Sequence, residues 1–154
     1  PETPLERTAP KPEAPPETTK KRDKAELFVI ASVAHGKEYV DFTEDVYPFL
    51  SSDVDRRIYE YALERFKKGE KPSVSALYSI ENPQEIAEVA EYSFMDGDDG
   101  KKYESCLNKM KLRSYEDEKL RLAKEFDETK NVALLSRLAK IENALKTLRS
   151  GGEE

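Results

Sequence analysis

Apolar positions along this chain recur with helical spacing wherever they recur at all, and no segment of useful length alternates as a strand would. The first apolar stretch, DKAELFVIASVAHG, carries an N-cap candidate in Asp23 with Glu26 three residues on, and it stops at Gly36. Leu27, Ile30, Ala31 and Ala34 share one face, while Phe28 and Val29 make the helix greasy on most sides, as expected of a helix inside a bundle. KEYVDFTEDVYPFLSSD predicts a short helical piece broken by Pro48, with Tyr39, Phe42, Val46, Phe49 and Leu50 closing one end of the core. SSDVDRRIYEYALERFKKG predicts a helix capped by Ser51 or Ser52 and ended by Gly69, with a stripe of Val54, Ile58, Tyr61, Ala62, Arg65 and Phe66. PSVSALYSI gives two turns at most. Asn82 then caps a helix that opens on Pro83 and sets Ile86, Val89, Ala90 and Phe94 against Glu85, Glu88 and Glu91.

The last third reads differently. After a loop at MDGDDG (95–100), residues 101–128 contain no Gly or Pro and predict one long helix. Asn131 marks a break. In the helix that follows, Leu134, Leu138, Ile141, Leu145 and Leu148 are spaced 4, 3, 4 and 3, a coiled-coil-like seam that Leu112, Tyr115, Leu122 and Phe126 can face. Two antiparallel helices joined by a short turn form a helical hairpin, and beyond about residue 116 the pair has only itself to pack against. Leu120, Ala123, Val132, Leu135 and Ala139 lie off the seam, more apolar surface than one helix pair hides. The alternative is that they fold back onto the bundle. The expected fold class is therefore all-α: a helical bundle of about six helices (23–112) followed by a projecting C-terminal antiparallel helical hairpin (113–150), with a flexible tail at 151–154.

Residues 1–22 hold six of the nine prolines and, among large apolar residues, only Leu5, a composition that cannot offset its ordering entropy. They predict a disordered linker, with a Pro-rich docking ligand as the lesser alternative. That the chain opens on Pro1 rather than Met points to a piece of a longer protein. The net charge of −6 is unevenly spread: residues 23–100 carry 8 Lys/Arg against 18 Asp/Glu, residues 101–149 carry 13 against 8. An acidic body repels phosphate backbones, while a basic arm suits an acidic protein surface. One cysteine, no signal-like segment and no apolar run long enough for a membrane span predict a cytoplasmic, reducing setting.

Catalytic chemistry has little to build on. His35, the one histidine, has no Cys, Ser or second His to pair with and reads as a helix-end residue. Cys106, next to Leu107, reads as a small core residue. Asp96, Asp98 and Asp99 fail the calcium-loop pattern: with Asp96 at the first position, the sixth is Lys101 rather than Gly and the twelfth Leu107 rather than Glu. No phosphate-cradling Gly-rich motif and no Cys/His cluster occurs, so no catalytic residue, cofactor or metal is expected.

Taken in order, KAELFVIASVAHGKEYV, DRRIYEYALERFKKGEKPSVSAL, EIAEVAEYSF, KKYESCLNKMKLRSYEDEKLRLAKEFDETKN and a Leu-rich final helix resemble the C-terminal region of DnaG-type bacterial primases across residues 23 to 150. The resemblance rests on helix lengths and apolar spacing. It implies a helicase-binding domain: a bundle that modulates the hexameric replicative helicase and a hairpin that docks on that helicase's N-terminal domains. The family's zinc-binding and polymerase domains are missing, so the chain would be a non-catalytic, monomeric part of an RNA-polymerising enzyme. On this reading Leu122, Phe126, Val132, Leu135, Leu138, Ile141, Leu145 and Leu148 supply the hydrophobic contact or the support beneath it, and Arg137, Lys140, Lys146 and Arg149 meet an acidic rim. The rivals are the helicase's own N-terminal domain, a nucleic-acid-binding helical module and a bundle with no partner.

Overall fold

The computed structural model describes residues 22–152 apart from Glu81 and Asp96; the linker expected over 1–21 and the end of the tail lie outside the described residues. Among the described residues the fold is all-helical, with five α-helices, two 3-10 turns and no strand. The helices are α1 (Lys24–Ala34), α2 (Asp53–Lys67), α3 (Pro83–Ala90), α4 (Asp99–Thr129) and α5 (Ala133–Gly152), and the 3-10 turns are Tyr47–Phe49 and Ser75–Ser79. α5 thus runs two residues into the segment expected to be tail.

Capping fixes the helix starts. Asp23, Ser52, Asn82 and Asp98 each accept a backbone N–H from the first turn of the helix that follows, satisfying donors with no intrahelical partner. Pro48 sits inside the first 3-10 turn, where its missing N–H costs nothing. α4 ends where Lys130 turns left-handed at φ 57°, and the Asn131 side chain then accepts the Ala133 N–H to open α5.

α1 is the centre of the bundle, packing against α2, α3 and the first half of α4. Phe28, Val29, Ile30, Ala31, Val33 and Ala34 are all buried, which is why this helix is apolar nearly all round. Ile58, Tyr59 and Ala62 of α2, Ile86 and Val89 of α3, Leu77, and Tyr103, Leu107 and Met110 of α4 complete the core. The α2 stripe departs from expectation at its end: Phe66 is half exposed and rests on the Phe42 ring at 4.8 Å, while Tyr59, on the neighbouring helical row, takes the buried place.

Glu26 does not close a capping box. It is fully buried, accepts the Ser51 N–H at 3.0 Å and faces Arg113 of α4. Beside it lies Asp55, equally buried and gripped by Arg22 at 2.8 Å, and Arg22 reaches Glu88 of α3 at 3.0 Å. Arg22, expected at the end of the linker, is therefore an ion-paired part of the fold. Arg113 also pairs with Asp23, and Lys111 with Glu44.

α5 packs along α4, and its apolar residues form a second cluster apart from the bundle core: Leu122, Leu134, Ile141 and Leu145 buried, with Leu112, Tyr115, Phe126 and Leu138 against them. These are the seam residues that the spacing predicts except Leu148, which is half-buried and outside the cluster. Cross-pairs fix an antiparallel register: Arg149 to Glu116 at 3.0 Å, Glu142 to Lys119 at 2.6 Å and Arg137 to Glu118 at 2.7 Å. Where the clusters meet, the Phe49 and Tyr115 rings make an edge contact at 5.6 Å.

Candidate partner-binding site

The α4–α5 pair has two sides, and helical geometry assigns residues to them. At about 100° per residue, Leu134, Leu138, Ile141, Leu145 and Leu148 of α5 point at α4, and Leu122, Phe126 and Tyr115 of α4 point back. Rotating the same way from the seam on both antiparallel helices reaches one common side. That side holds Lys119, Ala123, Glu116 and Leu120 on α4, and Arg149, Glu142, Leu135 and Ala139 on α5, with Val132 in the turn just before α5. The ion pairs Lys119–Glu142 and Glu116–Arg149 both lie there, which is independent support for the assignment. Arg137–Glu118 marks the opposite side.

The large apolar residues that the hairpin leaves wet all fall on this first side. Leu120 is 70% exposed, Val132 72% and Leu135 47%, and Ala123 and Ala139 are exposed between them. Five apolar side chains on one face, towards the turn and away from the bundle, make a contiguous patch of the kind that marks contact surfaces. Lys146 borders it on the same side, exposed and without a carboxylate partner among the described residues, whereas Lys140 lies across the hairpin. The Lys119 hydrogen bond is the main cause that holds the Glu142 carboxyl below its ordinary value, and the pair frames the patch.

The residues expected to bind a partner thus divide by position. Val132 and Leu135 present apolar surface; Phe126, Leu138 and Leu148 are half-buried. Leu122, Ile141 and Leu145 are sealed in the seam and support the face from within. Arg137 and Arg149 are held by Glu118 and Glu116, while Lys140 and Lys146 form no ion pair among the described residues. Leu120, Ala123 and Ala139 belong to the patch as well; they were legible as apolar residues off the seam.

The candidates for chemistry are accounted for structurally. His35 caps α1, donates Nε2–H to the Val89 carbonyl at 3.0 Å and meets Phe94 edge-on. Burial, ahead of any charge, pushes the Cys106 thiol above its ordinary pKa, the reverse of an activated nucleophile. No group of three or more metal-ligating side chains converges among the described residues. No helix among them is long and apolar enough to cross a membrane. No model of a protein family matches this chain, and no curated protein or solved structure does either.

Proposed function

We propose that this chain is a non-catalytic docking module, the helicase-binding part of a bacterial primase. Its six helical pieces before residue 112 form a bundle, and its hairpin projects from that bundle to dock on the N-terminal domains of the hexameric replicative helicase. The observation that carries the reading is a hairpin with a dry seam of its own and, outside that seam, a one-sided apolar face formed by Leu120, Ala123, Val132, Leu135 and Ala139. A helix pair stabilised by Leu122, Leu134, Ile141 and Leu145 has no need of that face for folding, so it is available to a groove on a partner. Lys146 at its border meets acidic rim residues and speeds encounter. Docking raises the local concentration of whatever is joined to the module at the site of unwinding. The order of helix lengths and apolar spacings that resembles primase C-terminal regions supplies the identity of the partner.

The test is co-elution with a purified hexameric bacterial replicative helicase. Leu120→Asp with Leu135→Asp is expected to abolish co-elution while far-ultraviolet circular dichroism stays unchanged, because both side chains are already exposed. Co-elution that survives the double substitution, or never occurs, overturns the reading. Single-stranded DNA titrated in parallel separates it from a nucleic-acid-binding arm, against which the engagement of Arg137 and Arg149 by glutamates already speaks.

A further inference from the structure

A second surface, remote from the hairpin turn, has the makings of a small-molecule site. Between α1 and the first half of α4 lies a cleft of about 440 Å³, lined by Lys24, Ala25, Leu27, Tyr92, Lys102, Cys106 and Lys109. Its lining contains three lysines and no acid, on a body that is otherwise strongly acidic. None of the three has a carboxylate partner among the described residues. Of the acids around it, Asp23 is engaged with Arg113 and the Glu26 N–H, and Glu26 with Ser51 and Arg113. Lys102 is held in place, its Nζ 4.4 Å from the centre of the Phe28 ring. The Tyr92 ring, which forms one wall, is fixed edge-on by Phe28 at 5.9 Å and Phe94 at 4.9 Å.

Three lysines line one opening, and ammonium groups, as compact point charges, suit phosphate oxygens. Ala25, Leu27, the flat face of Tyr92 and the Cys106 thiol supply an apolar surface beside those charges. The volume lies within the range of pockets that hold drug-sized ligands. We infer that this cleft binds a nucleotide, its di- or triphosphate spanning Lys24, Lys102 and Lys109 and its base lying against Leu27 and Tyr92. The inference is independent of hairpin docking, since Lys24 lies on α1 and Lys102, Cys106 and Lys109 on the bundle half of α4.

Cys106, the chain's one cysteine and part of the wall, is a built-in reporter. The experiment follows its modification by a thiol reagent in the full chain, with ATP, with inorganic pyrophosphate and with neither, alongside calorimetric titration of each. ATP is expected to slow modification several-fold and to bind at least tenfold more tightly than pyrophosphate. The gap between them reads the apolar wall. Lys102→Glu with Lys109→Glu should weaken ATP at least tenfold, and the charge-matched pair Lys67→Glu with Lys68→Glu, on α2, should leave it unchanged. Equal loss in both double variants would mean general electrostatic attraction and no site. Equal affinity for ATP and pyrophosphate would mean a phosphate site without nucleotide character, and absence of both protection and heat would mean no site. Each of these three outcomes overturns the inference.

Discussion

Replacing Arg22 by Met tests the buried charge cluster, and its expected effect depends on pH in a way that ordinary packing loss does not. Asp55 is fully buried, accepts Arg22 Nε at 2.9 and 3.0 Å and lies against Glu26, equally buried. Burial first, then the contact with Glu26, push the Asp55 carboxyl up to about 7, and Arg22 opposes that rise without cancelling it. Both partners of this ion pair therefore shift upward. Arg22 does so because Asp55, Glu88 and Glu26 outweigh the cost of its own burial, and Asp55 because burial first, and the contact with Glu26 second, disfavour its charged form.

A carboxyl whose pKa rises on folding binds its proton more tightly in the folded state. Its contribution to stability is complete below the unfolded value of 3.8 and is lost as pH climbs through about 7. At about 1.4 kcal/mol per unit, this pair makes the protein less stable at neutral pH than near pH 4 by on the order of 4 kcal/mol. Above that range the wild-type curve levels off, because the carboxyl is ionised in both states. Without Arg22 the folded carboxyl stays protonated to higher pH, so the variant's curve keeps falling at about 1.4 kcal/mol per unit. At about pH 6 the substitution costs only the guanidinium's hydrogen bonds and packing, about 1–2 kcal/mol. At about pH 9 it costs more than that, because Asp55 must then either keep its proton against the solvent pH or stand buried as an unpaired charge. Urea unfolding of both proteins at the two pH values, followed by far-ultraviolet circular dichroism, measures the difference, and titrations common to both cancel. A loss of the same size at both would refute a raised Asp55 carboxyl, as would an Asp55→Asn variant that kept the wild-type decline between acid and neutral pH.

Two further outcomes follow from the cores. Leu145→Ala empties a fully buried position in the hairpin seam and should cost about 2–5 kcal/mol. Because the two apolar clusters are separate, hydrogen exchange should rise in α5 and the second half of α4 while α1 stays protected. Tyr103→Phe removes a buried hydroxyl that has no hydrogen-bond partner among the described residues, beside the Tyr39 ring at 5.5 Å, and should leave thermal stability unchanged or raise it, by up to about 1 kcal/mol.

Spacing made the hairpin legible. Its seam is a local pattern of apolar residues at intervals of 3 and 4, and a break at Asn131 leaves antiparallel pairing as the short route between the helices. The caps at Asp23, Ser52 and Asn82 were legible for the same reason, since each acts within one turn. What spacing did not disclose is long-range. Glu26 read as a cap partner by its distance from Asp23, yet its contacts are with Ser51, 25 residues away, and Arg113, 87 away. The exchange of Phe66 for Tyr59 has a similar origin, because two rows of α2 are apolar enough to be buried and the 37–50 segment decides between them.

α4 shows why one helix can serve two cores. It gives the bundle core Tyr103, Cys106, Leu107 and Met110, and the cluster shared with α5 the buried Leu122 with the half-buried Leu112, Tyr115 and Phe126. On a helical wheel the centres of these two sets lie roughly 140° apart. No single face is apolar along the whole helix, and the pattern over its length looks like a weak amphipathic one although each half is strongly one-sided. The turn from one face to the other falls at residues 110–112, beside Lys111–Glu44, Arg113–Glu26 and Phe49–Tyr115, which pin the helix where it changes partners. α5 accordingly packs on a different side of α4 from α1. To lay the Leu120–Leu135 face on the bundle, the hairpin would have to twist α4 by more than a third of a turn and break those three contacts. The register that seals the seam is thus what keeps the apolar face turned outward, and a one-residue slip of α5 would remove both.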